Sequence, residues 1–158
     1  MFRTMQRTKQ QLPEAECVAI LQQELRGVLS VLGDDGYPYG MPLNHYYCEA
    51  DGKLYFHSGK IGHKIDAIRR CDKASFCVYD RGVREEGEWA LRIRSVIVFG
   101  RIELITDRET IIDIATNHSH KFTDDEAYIE KEIAQHLKRT LLFALVPEQI
   151  TGKIVTES

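Results

Sequence analysis

The chain has 158 residues, 43% of them hydrophobic, and its 21 basic and 24 acidic residues give a formal net charge of −3. This length and composition predict one domain over residues 1–158, with residues 1–12 as a flexible N-terminal segment. Because charges of both signs are interspersed, no broad basic surface is available for a nucleic-acid backbone, and we expect no nucleic-acid partner.

The N-terminal residues lack the apolar run of a signal peptide, and no segment approaches the roughly 20 apolar residues of a membrane span. The cysteines show neither a CxxC pair nor a cysteine and histidine grouping typical of structural zinc. They are Cys17, Cys48, Cys71 and Cys77. We predict reduced thiols that are buried in the core, and a cytoplasmic protein without a membrane partner.

The first part of the chain predicts a helix and three strands. Residues 13–25 have a proline at the start, glutamates in the first turn and apolar residues at helical spacing. Strand patterns follow over residues 27–32, 37–48 and 53–58, and the turns between them, GDDG and EADG, are too short for a crossover helix. These strands are therefore predicted to be antiparallel.

The rest of the chain alternates helices with strands. A short helix is predicted over residues 61–71, and two capping boxes, TDRE and TDDE, each predict the start of a further helix. Strands are predicted over residues 74–80, 92–105 and 140–146, with a last extended piece around ITGKIV and a bulge or bend at Gly100. About six strands with helices between them predict a mainly β fold, a closed or split antiparallel barrel.

The stretch HSGKIGHK, residues 57–64, concentrates hydrogen-bond donors at the start of a predicted helix. Its glycines permit unusual backbone angles, the first helical amides lack an intrahelical acceptor, and two lysines and a histidine add side-chain donors. Such an arrangement favours a phosphate. It matches neither GxxxxGK[ST] nor GxGxxG, so a surface turn with solvated lysines is an equally good interpretation.

The stretch YPYGMPLNHYY, residues 37–47, carries two prolines in a predicted strand. Proline cannot donate to a sheet ladder, so the strand is predicted to lie at an edge. The free backbone groups of an edge are available to a flat heteroaromatic ligand. The alternative is an aromatic edge strand that protects the barrel rim or forms a dimer interface.

Together, YPYGMPLNHYY, KLYFHSGKIGHKIDAIRRCDKASFCV and RSVIVFGRIELI resemble the pyridoxamine 5′-phosphate oxidase-like FMN-binding split barrels, and most closely their 5-nitroimidazole-resistance branch. The resemblance covers residues 27–105, and the C-terminal TGK fits the same branch. It implies a six-stranded antiparallel split barrel with flanking helices. It also implies a homodimer that holds each FMN in a groove between two subunits.

The resemblance implies roles for individual residues. His63 and Lys64 match the basic pair that holds the FMN phosphate, and Lys60 is a further phosphate contact. The residues implied to border the flavin are Met41, Pro42, Leu43, Asn44, His57 and Ser58, together with Arg94 and Ser95, which in the family often reach the flavin across the dimer interface. True pyridoxamine-phosphate oxidases carry an RxxxLK pattern and a C-terminal tryptophan and arginine, which MPLNHY and ITGKIVTES lack, so that activity is not expected.

The resemblance implies a flavin-dependent reductase in which NAD(P)H reduces the flavin and the flavin reduces a small acceptor such as a nitroaromatic compound. His45 and His57 are candidate catalytic residues because histidine titrates near neutral pH, while a hydrogen-bonded structural role is the alternative for each. A second hypothesis is a non-catalytic protein of the same fold that binds flavin, haem or a deazaflavin-type ligand.

Two further features stay open at the level of sequence. His118 and His120 form an HxH pair without a nearby third ligand, so we predict no metal site and prefer a polar cluster in the loop between two helices, near the cofactor. Trp89 and the charged loop before it either cover the flavin as a lid or place the tryptophan in the dimer interface.

Overall fold

The computed structural model describes residues 2–157, which form one antiparallel sheet with four α-helices around it. The strands are β1 (Gln11–Leu12), β2 (Arg26–Leu32), β3 (Pro38–Asn44), β4 (Tyr46–Cys48), β5 (Lys53–Gly59), β6 (Lys73–Tyr79), β7 (Leu91–Ile105) and β8 (Thr140–Glu157). The helices are α1 (Glu14–Gln23), α2 (His63–Arg70), α3 (Arg108–Ser119) and α4 (Glu126–His136).

The strand order is β3-β2-β6-β7-β8-β5-β4, and β1 pairs with β8 outside this path. The predicted mainly β split barrel with flanking helices is confirmed, although the strands number eight in the described residues rather than six. The predicted strand over residues 37–48 is broken at His45 into β3 and β4, and β1 is added before α1. The last two predicted extended pieces join into the single strand β8.

One residue, His45, separates β3 from β4, yet these strands lie at opposite ends of the strand order. The sheet must therefore curl until its two edges meet at His45. The backbone N–H of His45 donates to the carbonyl of Leu25, at 3.3 Å, just after the end of α1. This closure brings the end of β3 next to the start of β4 and leaves the rest of the β3 edge without a strand partner among residues 2–157.

The core fills the curled sheet with large apolar side chains from its concave face. Phe56, Phe76 and Phe143 have no exposed surface, and the ring of Phe56 lies 5.1 Å from that of Phe76 and 5.3 Å from that of Phe143. Helix α1 covers this core with Ile20 and Leu21. Burial of such side chains stabilises the fold by about 1.5–3 kcal/mol each.

A second apolar cluster lies outside the barrel, where α3 packs on the sheet. Ile114 of α3 contacts Tyr55, Leu142 and Ala144 of strands β5 and β8. Helix α3, which also contacts α4, is thereby attached to strands β5 and β8.

Strand β7 has its register shift between Phe99 and Gly100, which confirms the predicted irregularity. A side chain at position 100 would collide with the backbone carbonyl of Val146 on β8. Only glycine allows this close approach of the two strands.

The predicted helices after residues 106 and 123 are confirmed, but their caps are not the predicted threonines. Asp107 and Asp125 stand at the N-caps, and their carboxylates accept hydrogen bonds from the backbone N–H groups of Thr110 and Tyr128. An aspartate at this position satisfies a free amide and also interacts favourably with the helix dipole.

The first residues are more ordered than the sequence predicts, because Gln11 and Leu12 pair with Lys153 and Gly152 of β8. Phe2 also stacks on Phe99 with ring centroids 5.6 Å apart. None of the helices in residues 2–157 is long and apolar enough to cross a membrane.

Candidate functional site

The turn between β5 and α2 presents a row of free backbone N–H groups. Gly62, with a φ of 120°, precedes the first helical residue, and its carbonyl accepts from the amides of Ile65 and Asp66. The five N–H groups of residues 60–64 have no hydrogen-bond acceptor within residues 2–157. Because glycine tolerates the positive φ, the chain can turn here directly before the helix. Amides without acceptors at the start of a helix are donors that a phosphate group can use.

Lys64 adds a positive charge to this turn. Its ammonium group is partly buried, and the loss of hydration lowers its pKa. No carboxylate in residues 2–157 lies within ion-pair distance of it. A partly desolvated cation without a partner is stabilised by any anion that binds beside it.

The other two predicted phosphate contacts have different surroundings. His63 stacks on Tyr39 at 4.3 Å, and its Nε2 lies 3.4 Å from a carboxylate oxygen of Asp34. Arg70 pairs with the same carboxylate at 3.0 Å. Lys60 is exposed in the turn. Lys64 is therefore the basic side chain best placed for an anion, while His63 already has an acidic neighbour.

The four predicted residues of β3 lie on an edge strand, as the prolines indicate. Met41 is buried in the core, Pro42 is exposed and Leu43 is partly buried. Asn44, at the end of the strand, accepts a hydrogen bond from Arg26 through Oδ1 at 2.7 Å. Among the strands of residues 2–157, only β2 pairs with β3, so the outer backbone edge of β3 is available to a ligand.

A cavity of about 490 Å³ opens where β3 and β5 end. Three predicted site residues, Asn44, His57 and Ser58, line one wall of it. Most of the remaining lining comes from α3, α4 and the residues just after each helix. Its apolar members are Ile111, Ala115, Phe122, Ile133 and Leu137, and its polar or charged members include His118, Ser119, Glu132, His136 and Arg139. The free amides of residues 60–64 follow Gly59, which also lines the cavity. The turn over residues 60–64, which we call the anion turn, therefore follows the cavity residue Gly59 directly along the chain.

His57 and His118 lie side by side at the cavity, with ring centroids 5.1 Å apart. Burial lowers the pKa of His57, and the charge of Lys64 lowers it further. Burial and the neighbouring His57 and Lys121 lower the pKa of His118 to about 4. Both imidazoles are therefore neutral near pH 7, each with one donor and one acceptor nitrogen.

His118 is a cavity residue that the sequence analysis did not assign. The first half of the predicted loop NHSHKF is helical, because α3 continues to Ser119, and this places His118 in the last turn of α3. His120 turns away and lies 3.4 Å from a carboxylate oxygen of Glu126. Within residues 2–157, no group of three or more His, Cys, Asp or Glu side chains is arranged to hold a metal ion.

His45, the second predicted catalytic residue, has no exposed surface and lies in the core. Its Nε2 donates to the carbonyl of Leu21 at 2.8 Å, and its ring packs edge-on against Phe76. Burial lowers its pKa to about 3, so the ring stays neutral. The surroundings favour the structural role that the sequence left open, and we retain His57 alone as a catalytic candidate.

Arg94 and Ser95 lie far along β7 from the cavity within one chain. The cavity residue His57 on β5 pairs with Leu142 on β8. Leu142 in turn pairs with Ile105 on β7, which lies eleven residues beyond Arg94. The Nε of Arg94 donates to Asp80 at 2.8 Å. These two residues do not join the cavity of their own subunit. Trp89, which is 75% exposed, does not line it either.

The family model for pyridoxamine 5′-phosphate oxidase matches residues 13–154, and the chain therefore belongs to this family. No curated protein matches the chain. Among solved structures, it is similar to a candidate 5-nitroimidazole antibiotic resistance protein from Bacteroides thetaiotaomicron, with 21% identity and a TM-score of 0.76 over 93% of this chain and 87% of that one.

Two further structures share the fold. A conserved hypothetical protein from Mycobacterium tuberculosis has 19% identity and a TM-score of 0.79 over 95% of this chain and 90% of that one. A FAD-binding protein from Mesorhizobium loti has 25% identity and a TM-score of 0.64 over 92% of this chain and 96% of that one. The family inferred from the sequence motifs is confirmed.

The ion pair between Asp80 and Arg94 gives a testable prediction about the stability of the fold. Burial alone would raise the pKa of Asp80, but hydrogen bonds from the Arg94 side chain and from the backbone amides of Arg94 and Gly82 lower it overall. We expect Asp80→Asn to reduce the free energy of unfolding at pH 7 by about 1–2 kcal/mol, since Arg94 is partly solvated.

The loss of unfolding free energy in Asp80→Asn depends on pH in a defined direction. A depressed pKa in the folded state contributes stability above the unfolded value of about 3.9, and this contribution disappears as the pH falls through the folded value. In urea unfolding, the difference between the Asp80→Asn and unsubstituted proteins should therefore shrink as the pH falls below about 4 and disappear below the folded-state pKa of Asp80. The exposed Asp124→Asn variant is the control. Equal stabilities at pH 7 would contradict the role given to Asp80.

Proposed function

We propose that this protein binds FMN and acts as a flavin-dependent reductase of small acceptors, such as nitroaromatic compounds of the 5-nitroimidazole type, with NAD(P)H as electron donor. The observation that carries the proposal is the row of five amides at residues 60–64 that have no acceptor within residues 2–157. They lie beside Lys64, which has no ion-pair partner in the same range, directly after the strand end that lines the cavity. Similarity to a FAD-binding protein from Mesorhizobium loti supports a flavin as the ligand.

The residues present fit a flavin nucleotide. The amides of residues 60–64, with Lys60, His63 and Lys64, would hold the phosphate. The free edge of β3 from Met41 to Asn44, together with His57 and Ser58 at the end of β5, would border the ring system. Each of these groups lies on the same rim of the barrel.

A bound flavin would accept electrons from the donor and pass them to the acceptor. The protein supplies the surroundings for this chemistry. The apolar residues from α3 and α4 would limit the access of water to the acceptor, and the neutral imidazole of His57 can donate a hydrogen bond from its ring N–H to a polar atom of the acceptor. Family membership does not imply pyridoxamine-phosphate oxidation, because the chain lacks the residues expected for that substrate.

The second candidate function is a non-catalytic protein that binds a flavin, a haem or a deazaflavin-type ligand. Two adjacent neutral imidazoles, His57 and His118, at one cavity favour this alternative, because neutral histidine is a common ligand of haem iron. We also propose a cytoplasmic location, which the four free cysteines support.

We further propose a homodimer, with the flavin between the subunits and a small molecule as the second ligand. The outer face of the sheet carries an apolar stripe, which consists of Val28, Cys77, Ile97 and Phe99. The first three are cross-strand neighbours on β2, β6 and β7, and Phe99 follows on the same face. Ser95 lies two residues before Ile97 and faces the same side. A partner on this stripe would therefore contact Ser95.

The stripe generates a direct test of the dimer. Ile97→Glu places a charge in the stripe and should sediment as a monomer, whereas the unsubstituted protein should sediment as a dimer. Ile112→Glu on α3 is the matched control, because Ile112 is 37% exposed and Ile97 is 39% exposed. A monomeric unsubstituted protein, or an Ile97→Glu dimer as stable as the control, would contradict the assigned interface.

Lys64 generates the prediction for the phosphate site. Lys64→Ala removes one charge-assisted contact and should weaken FMN binding by about 1.5–3 kcal/mol, or about 10- to 150-fold. Flavin fluorescence titration gives the dissociation constant. Lys73→Ala, an exposed lysine on β6, should leave it unchanged. An unchanged constant for Lys64→Ala would remove the turn from the phosphate site.

The function itself is tested by a spectrum followed by a turnover measurement. After incubation with FMN and removal of the excess FMN, the protein should retain about one flavin per chain. After reduction with NAD(P)H, a nitroaromatic compound should reoxidise the bound flavin faster than anaerobic buffer does. Retention of flavin without faster reoxidation would favour the binding protein, and a Soret band on addition of haem would favour the haem alternative.

A further inference from the structure

Three aromatic rings form a row along the cavity wall. The ring centroid of His118 lies 5.1 Å from that of His57 and 5.7 Å from that of Phe122. All three residues line the cavity, whose volume of about 490 Å³ lies in the range of small-molecule sites. Flat rings along one wall favour a flat ligand, since aromatic rings pack in offset-stacked or edge-to-face arrangements.

His118 brings an unused hydrogen-bonding atom to this wall. Only 4% of the residue is exposed, and its Nε2 is buried without a hydrogen-bond partner in residues 2–157. Buried polar atoms in native proteins are nearly always hydrogen-bonded. A small movement of the ring would allow this nitrogen to meet a polar group of a molecule in the cavity.

The two adjacent imidazoles of the cavity wall are uncharged near neutral pH, and Ile111, Ile133 and Leu142 supply apolar surface. The charged residues of the lining are one acid and one base, Glu132 and Arg139. Because their charges are of opposite sign, the lining gives no net attraction to an ionic ligand, which would lose hydration on entering. An uncharged ligand would lose little hydration free energy on entering the cavity.

We propose that this cavity binds an uncharged planar ring compound with one polar group, and that His118 is the residue that hydrogen-bonds this group. The identification of the compound as the acceptor substrate rests on the proposed function. The binding itself depends only on the cavity. His118 is then a substrate-binding residue contributed by the α3 and α4 pair, opposite the strand residues that face the flavin.

Three probes of similar size test the proposal with the full chain after incubation with FMN. Benzamide has a polar group that both donates and accepts hydrogen bonds, toluene has none, and benzoate is an anion. At pH 8, calorimetric titration should show benzamide binding about 2- to 10-fold more tightly than toluene, the effect of one neutral hydrogen bond. Benzoate should bind more weakly than benzamide.

Substitutions separate hydrogen bonding from shape. His118→Phe keeps a flat ring and should abolish the preference for benzamide over toluene. His118→Gln, whose amide donates and accepts, should restore part of it. His120→Phe is the matched control, because this neighbouring histidine does not line the cavity and should leave the preference unchanged.

The outcomes distinguish this inference from the proposed function. A preference for benzamide that survives in His118→Phe would overturn the inference, as would loss of FMN in that variant, which would place His118 in the flavin site. Absence of probe binding to flavin-loaded protein would overturn it and leave flavin binding intact. If the protein retains no FMN but shows the predicted pattern of probe binding, the result would support the binding site in the cavity and contradict the flavin function.

Discussion

The whole arrangement depends on the corner at His45, where the two edges of the sheet meet. The imidazole Nε2 bonds to the carbonyl of Leu21, and the backbone carbonyl accepts from Lys121 at 2.9 Å. Lys121 also donates to the carbonyl of Glu24 at 2.7 Å. One residue therefore ties the end of α1, the two edge strands and the segment after α3 together. This corner adds to the pairing of β3 with β2 and to the packing of Ile114, which hold the same elements.

The corner explains why the candidate site lies at this rim of the barrel. It sets the end of β3 beside the end of β5, and it anchors the α3 and α4 pair over both. Beyond β5, the chain turns at Gly62 and presents free amides next to Lys64. Burial lowers the pKa of His57 and the charge of Lys64 lowers it further, so the anion turn and the cavity are also linked electrostatically. An anion that neutralised Lys64 would weaken this effect and raise the pKa of His57.

Local patterns in the sequence were sufficient for the fold class and for much of the site. Short glycine turns required antiparallel strands, the prolines of residues 38 and 42 placed β3 at an edge, and the glycines and lysines after His57 indicated the anion turn. The break at His45 was missed because the residues on both sides of it have the same strand character. His118 was placed in a polar cluster near the cofactor, but its contact with His57 was not predicted, because the two residues are 61 positions apart and no local pattern indicates such a contact. The pairing of Arg94 with Asp80 likewise depends on the register of β6 and β7.

A crystal structure of the protein with FMN tests the central claim most directly. The account predicts the phosphate at the start of α2, within hydrogen-bond distance of the amides of residues 60–64 and of Lys64 Nζ, with the flavin ring between the β3 edge and His57. A phosphate bound elsewhere on the chain, with these amides facing only solvent, would contradict it.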